Sequence, residues 1–237
     1  MESNMERKAN IMNLRYERKF RIKNQISLSR LIYIIKLNTF NFKIHYPQRR
    51  INNIYLDNHN YQNYTDNQVG ISDRTKYRLR WYGNDIMQNN NLKFEKKNKF
   101  GWVGSKKTYD CEPFNFDKKK SVYNYFKNLM NELSINESLD IKNNFPVIMN
   151  AYTRIYFISR CERFRVTLDY KQEYFSIRRL GMRPIKKIFS DKNDFVLELK
   201  YDIKYDDIAS EVSNQFPFLI SKNSKYINGI DYLKEQF

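Results

Sequence analysis

Through much of this chain apolar side chains alternate with polar ones at every second position, the period of a strand with one buried face. Tyr16, Phe20 and Ile22 alternate with Arg15, Glu17, Lys19 and Arg21, and Ile54 and Leu56 alternate with Tyr55 and Asp57. Tyr77, Leu79 and Trp81 alternate with Lys76, Arg78 and Arg80, and Leu92 and Phe94 with Lys93, Glu95 and Lys97. The same pattern returns at Thr153, Ile155 and Phe157, at Phe164, Val166 and Leu168, and at Phe195, Leu197 and Leu199. Helical spacing separates these runs. Ser27 to Leu37 places apolar residues at helical intervals behind a capping serine, and Val122 to Leu133 carries a stripe of Val122, Tyr125, Phe126, Leu129, Met130 and Leu133. Asp206 to Gln215 and Ser224 to Gln236 predict two more helices. The expectation is an α+β domain: an antiparallel β-barrel tunnel of about eight strands, helices packed outside it, and a C-terminal helix. Residues 1–12 read as a flexible arm and 13–237 as a single domain, with no internal repeat and no Gly- or Pro-rich linker.

Charge changes this picture most. The 237 residues carry 43 Lys and Arg against 26 Asp and Glu, a formal +17, which draws polyanions to the surface and repels itself unless an anion offsets it. A generally basic composition would give the same number, so the placement of the charges decides. Cys111 and Cys161 lie far apart without CxxC spacing and read as reduced thiols, not a zinc site. The polar N-terminus offers no signal region, and Leu31 to Ile35 is far shorter than the roughly 20 apolar residues a span needs. A cytoplasmic protein with no membrane segment is expected.

In Thr75-Lys-Tyr-Arg-Leu-Arg-Trp-Tyr82, strand geometry puts Lys76, Arg78 and Arg80 in one row and Tyr77, Leu79 and Trp81 in the other. Cations roughly 7 Å apart repel unless something anionic lies along them. One such strand would read as a solvated sheet face, but the pattern recurs on at least five, with large apolar side chains opposite. Closing the sheet with its charged face inward gives a cationic tunnel suited to a linear polyanion, and Arg matches phosphate oxygens bidentately. Glu17, Glu95 and Glu198 each share a face with a base two residues on. Glu198 and then Glu17 are candidates for holding a hard divalent ion, and Glu95 reads as a salt-bridge partner. His45 and His59 are isolated and read as surface or packing residues. The 19 Tyr and 17 Phe read mostly as shell packing, with base stacking as the other use.

Seven segments in order then resemble one family: NIYLDN at Asn53, TKYRLRWYG at Thr75, LKFEKK at Leu92, WVGSKK at Trp102, PVIMNAYTR at Pro146, VLELK at Val196 and SKNSKYING at Ser221. Together they resemble the catalytic domain of the VTC polyphosphate polymerases, within the triphosphate tunnel metalloenzymes, from about Arg15 to the C-terminus. The resemblance implies phosphate-binding roles for Lys19, Arg78, Arg80, Lys97, Lys106, Arg154 and Lys225. Lys76, Arg165 and Lys200 are further tunnel cations, Tyr152 is a phosphate-contacting phenol, Ser224 a terminal-helix hydroxyl, and Glu198 the metal carboxylate. Which of Lys106 and Lys107 points inward stays open. Arg15 and Glu17 stand where many triphosphatase relatives carry two glutamates before the lysine, which favours the polymerase branch.

The activity so implied is transfer of the γ-phosphate of ATP to a growing inorganic polyphosphate, with Mn²⁺ or Mg²⁺ and without a specific nucleic-acid partner. A triphosphatase using the same tunnel, and a non-catalytic module binding polyphosphate or RNA, are the alternatives.

Overall fold

The computed structural model describes residues 15–23, 26–88, 90–101, 103–113, 126–128, 142–177, 185–191 and 194–236. The expected N-terminal arm lies outside these residues, as does most of the expected Val122–Leu133 helix; of that helix 126–128 are helical, with Phe126 buried.

Nine strands form one antiparallel sheet among the described residues. They are β1 (Arg15–Ile22), β2 (Lys43–Asp57), β3 (Arg74–Tyr82), β4 (Leu92–Phe100), β5 (Val103–Cys111), β6 (Phe145–Ile158), β7 (Phe164–Ser176), β8 (Lys186–Asp191) and β9 (Phe195–Asp202). Eight run in the order β1-β9-β7-β6-β2-β3-β4-β5, and β8 pairs with the second half of β7. The sheet curls until its ends approach: Lys97 of β4 reaches Glu17 of β1 at 3.2 Å, so side chains bridge the seam. Near one end of that seam the segment before the last helix runs along β1, with Ser221 N donating to Lys19 O and Arg21 N to Ser221 Oγ.

The barrel is inside out by the standards of a soluble core. Its convex face is apolar: Leu79, Trp81, Phe94, Ile54 and Met149 form one cluster, and Phe164, Val166, Leu168, Leu197 and Leu199 another. The second cluster is covered by α1 (Leu28–Leu37) and α3 (Asp206–Asn214), through Leu31, Ile35, Ala209 and Val212. Ser27 starts α1 by accepting from Arg30 N. A short helix, α2 (Gln62–Val69), starts where buried Asp57 accepts from the backbone of Asn63 and Tyr64.

The last helix, α4 (Lys225–Lys234), packs across one end of the barrel on β6, β7 and β8. Gly229 makes that approach possible: a Cβ there would lie 2.9 Å from Ile148 Cγ1 and 3.0 Å from Tyr174 Cδ1. Among the described residues no helix is long and apolar enough to cross a membrane.

Candidate functional site

The inward rows converge because ladder register puts like rows opposite each other. Arg80 pairs with Asn53 and with Lys93, Arg78 with Tyr55 and Glu95, and Lys76 with Lys97. Lys97 in turn pairs with Lys106, which turns Lys106 inward and Lys107, the partner of Lys96, outward. Across the tunnel, Arg154 pairs with Asp169, Thr167 with Glu198, and Glu198 with Lys19. Lys19, Lys76, Arg78, Arg80, Lys97, Lys106, Arg154, Lys200 and Lys225 therefore share one wall with the carboxylates Glu17, Glu95, Asp169 and Glu198. Arg165 continues the row on β7 but stands exposed at the mouth.

Each carboxylate sits among cations from neighbouring strands. Glu95 accepts from Arg78 Nε at 2.5 Å and Lys106 Nζ at 2.8 Å, with Arg80 Nη1 3.8 Å away. Burial would raise its pKa, but Arg78, Arg80 and Lys106 hold it far below the usual carboxylate range. Glu17 and Glu198 share the Lys19 ammonium, at 3.3 and 3.6 Å, and the Lys200 ammonium, at 3.6 Å each. Burial opposes the charge of Glu198, yet Lys200, Lys19 and Arg154 keep it well below its ordinary pKa. Burial works against the charge of Lys19 too, and Glu198 and Glu17 more than offset it, raising its pKa.

Asp169 is the residue that the sequence pattern showed but did not single out. It is fully buried. Its Oδ1 accepts from Arg154 Nε at 2.5 Å, and its Oδ2 from Arg154 Nη2 at 2.7 Å and Lys225 Nζ at 2.6 Å. The first residue of α4 is thereby tied to the barrel wall. The second, Tyr226, donates its hydroxyl to buried Asp57. Tyr152 lies between these groups: its hydroxyl accepts from Arg80 Nη2 at 3.3 Å, and Lys225 Nζ stands 4.5 Å from its ring centroid. Burial would raise the phenol's pKa, and Arg154, Arg80 and Lys225 bring it below the ordinary value.

Lys76 differs from the other inner cations. Its ammonium donates to an uncharged group, Ser224 Oγ at 3.3 Å, and no carboxylate pairs with it among the described residues. Burial and the nearby Arg74, Lys19, Lys97 and Lys99 lower its pKa to about 7. An uncompensated, half-buried ammonium of this kind wants an anion beside it.

The donor set also fits a hard divalent ion. Glu17 and Glu198 occupy one patch of wall, and beside Glu198 the buried Thr167 Oγ1 has no hydrogen-bond partner. Among the described residues no group of three His, Cys, Asp or Glu could hold an ion unaided. An ion here would use one or two protein carboxylates and complete its shell with phosphate oxygens and water, the habit of Mg²⁺.

A cavity of about 700 Å³ bounded by Ile26, Arg50, Tyr170, Lys171, Glu173 and Phe195 opens on the outer side of the sheet, away from this wall. Its Arg50 is already paired with Glu173. His45 packs on Tyr46 and His59 on Phe145, with ring centroids 3.9 and 4.2 Å apart.

Comparison with known proteins agrees with this geometry. A family model described as VTC domain matches residues 14–234. The solved structure of a candidate adenylate cyclase from Vibrio parahaemolyticus superposes with a TM-score of 0.52 at 11% identity, over 93% of this chain and 98% of that one. A candidate adenylyl cyclase from Hippeastrum, described as having a dominant triphosphatase activity, superposes with a TM-score of 0.50 at 10% identity, over 92% and 95%. At such identities the likeness is one of fold. No curated protein matches the sequence.

Proposed function

The chain belongs to the VTC domain family, and from that premise we propose that it is a polyphosphate polymerase, residues 13–237 acting as one domain. In this reading the γ-phosphate of ATP passes to the end of a growing inorganic polyphosphate, and ADP leaves. The observation that carries the reading is the wall itself: among the described residues nine inward cations share it with Glu17, Glu95, Asp169 and Glu198, an excess that a bound polyanion would balance. The row from Arg74 to Arg80 alone runs about 20 Å, long enough for more phosphates than one triphosphate has.

Two chains of phosphate meeting end to end repel each other, and the wall answers that repulsion from every side. Arg80, Arg154 and Lys225 gather around Tyr152, with Arg78 beside Arg80 in the β3 row, so a transferring phosphoryl among them gains charge-assisted hydrogen bonds as its equatorial oxygens take up charge. Lys19, Lys97 and Lys200 hold neighbouring phosphates in line, which supplies the entropy of orientation in advance. A terminal phosphate is already ionised near neutral pH, so the acceptor needs no general base. That suits a wall whose carboxylates are all occupied by cations. Glu198 and Glu17 would hold the divalent ion that VTC-type chemistry implies, Mn²⁺ or Mg²⁺, which when bound screens charge between phosphate oxygens.

The test is the fate of the γ-phosphate. The purified protein with ATP and Mn²⁺ or Mg²⁺ is expected to yield ADP and a polyphosphate ladder on a gel, faster with added short primer. ADP with free orthophosphate alone would replace the polymerase by a triphosphatase in the same tunnel. No ADP with either metal would leave a polyanion-binding module.

A further inference from the structure

Ser224 stands at the N-cap of α4 with extended backbone, φ −135° and ψ 111°. At that position a serine hydroxyl ordinarily accepts from an amide of the first helical turn. Here it makes no such bond. Its Oγ meets Lys76 Nζ instead, at 3.3 Å. The next residue, Lys225, reaches Asp169 and the Tyr152 ring, so the hydroxyl lies one residue from the cations that gather around Tyr152. One residue earlier, the side-chain nitrogen of Asn223 is buried with no hydrogen-bond partner among the described residues.

A hydroxyl differs from a phosphate chain end in what it needs to accept a phosphoryl group. The chain end is already ionised, whereas the hydroxyl must give up a proton as its oxygen attacks and needs a base within hydrogen-bond reach. The carboxylates of the wall are poor bases, because neighbouring cations hold each of them below its ordinary pKa. Lys76 is placed for the task. Burial above all, then Arg74 of its own strand, Lys19 of β1, and Lys97 and Lys99 of β4, leave its amine neutral in a substantial fraction of molecules near pH 7. A neutral amine accepts where the ammonium donates. The contact with Ser224 then reverses direction, and the two side chains become a nucleophile and its base.

We propose that Ser224 is a self-phosphorylation site: when no polyphosphate end is present, its Oγ attacks the γ-phosphorus of ATP and Lys76 takes the hydroxyl proton. The bond formed is Oγ–P. The bond broken joins the γ-phosphorus to the β,γ-bridging oxygen, and ADP leaves with that oxygen. The proposal rests on the reading that ATP donates its γ-phosphate in this tunnel, and goes beyond it by naming a second acceptor, carried by the protein itself. A phosphate on Ser224 would stay beside Lys76, now an ammonium, and supply the counter-charge it lacks. It would also occupy room that a polyphosphate chain needs, so the modified tunnel takes up polyphosphate less readily.

The wild type, Ser224→Ala and Lys76→Arg, each checked for folding by circular dichroism, are incubated with Mn²⁺ and ATP carrying a radioactive γ-phosphate. They are then denatured and digested for mass spectrometry. The wild type is expected to keep a phosphoryl group through denaturation on the peptide that contains Ser224, and Ser224→Ala to carry none. Lys76→Arg keeps the charge but cannot take the proton, so it should be labelled about a hundredfold more slowly. Added tripolyphosphate, a competing acceptor, should suppress labelling of the wild type. A label on another residue, or one that Lys76→Arg acquires as fast as the wild type, would overturn the proposal. A wild type that makes polyphosphate while staying unlabelled would overturn it too and leave the polymerase reading standing. A label on Ser224 with orthophosphate as the sole free product would sink the polymerase reading alone; no ADP at all would sink both.

Discussion

Asp169→Asn is the sharpest perturbation the wall offers. The substitution keeps shape but removes the charge of a fully buried carboxylate that accepts three hydrogen bonds from two cations. Turned toward the Oδ2 position, the amide oxygen can still receive Arg154 Nη2 and Lys225 Nζ. The amide nitrogen that replaces the other oxygen would point hydrogens at Arg154 Nε, so that contact becomes repulsive. Removing one partner of a buried pair costs about 3–5 kcal/mol, and the surviving hydrogen bonds place this variant at the lower end, about 3 kcal/mol. For a domain of this size each kcal/mol lowers Tm by about 2–4 °C, giving a drop of roughly 6–12 °C by calorimetry. The two cations left behind are the ones a bound anion would meet. Saturating tripolyphosphate should therefore raise the Tm of the variant by more than it raises that of the wild type. A variant as stable as the wild type, or one less responsive to tripolyphosphate, would mean that Asp169 does not hold Arg154 and Lys225 in solution.

Three other outcomes are expected. Glu198→Gln should abolish metal-dependent turnover while nucleotide stays bound, because the amide cannot offer a divalent cation the charge it needs; unchanged activity across a metal titration would move the ion to Glu17. Lys76, its pKa lowered to about 7 in the free protein, should regain an ordinary high pKa beside a bound anion, so binding takes up a proton above pH 7. Tripolyphosphate affinity should accordingly fall as pH rises from 7.5 to 9, and Lys76→Met should flatten that slope in calorimetric titrations. Gly229→Ala forces a methyl to within 3 Å of Ile148 and Tyr174; a cost of about 1–3 kcal/mol and faster hydrogen exchange across α4 should follow, and a wild-type exchange pattern would argue against that close approach.

The strands that were legible in the sequence are those whose two faces differ most. β1, β3 and β9 alternate cations or acids with Phe, Leu, Ile and Trp, and each appears where the period places it. α1 likewise begins at its serine cap. β5 and β8 escaped because neither alternates: β5 reads VGSKKTYDC and β8 reads KKIFSD, with few apolar residues to set a phase. The first half of β2 is exposed and its pairing with β6 slips between Ile44 and Tyr46 and again between Tyr46 and Arg49. Counting by twos along the sequence therefore cannot show that Arg49 comes to lie opposite Arg154. Asp169 escaped for another reason. Its row was visible, but its partners are set by β6–β7 register and by a helix 56 residues further on. The same register information decides Lys106 over Lys107, which adjacency in sequence leaves open.

Folding such a wall poses a problem that its acids answer. Inward cations on adjacent strands would push the ladder apart, since opposed like charges destabilise a sheet. Lys76 faces Lys97, and Lys97 faces Lys106. Each of the four carboxylates among the cations bonds to cations on elements other than its own: Glu95 to β3 and β5, Glu17 to β4 and β9, Glu198 to β1 and β6, and Asp169 to β6 and α4. The acids thus act as cross-strand ties, and the tie through Lys97 spans the seam where no ladder closes the sheet. Because four acids cannot offset nine cations, repulsion remains in the empty wall, and it is concentrated where Lys76 has no counter-charge. A bound polyanion relieves that repulsion and also bridges strands on opposite sides of the bore. Ligand affinity and the stability that a ligand adds to the barrel are then two readings of one electrostatic term, and both should weaken together as salt screens it, whereas the empty wall, where repulsion dominates, should be relieved by salt.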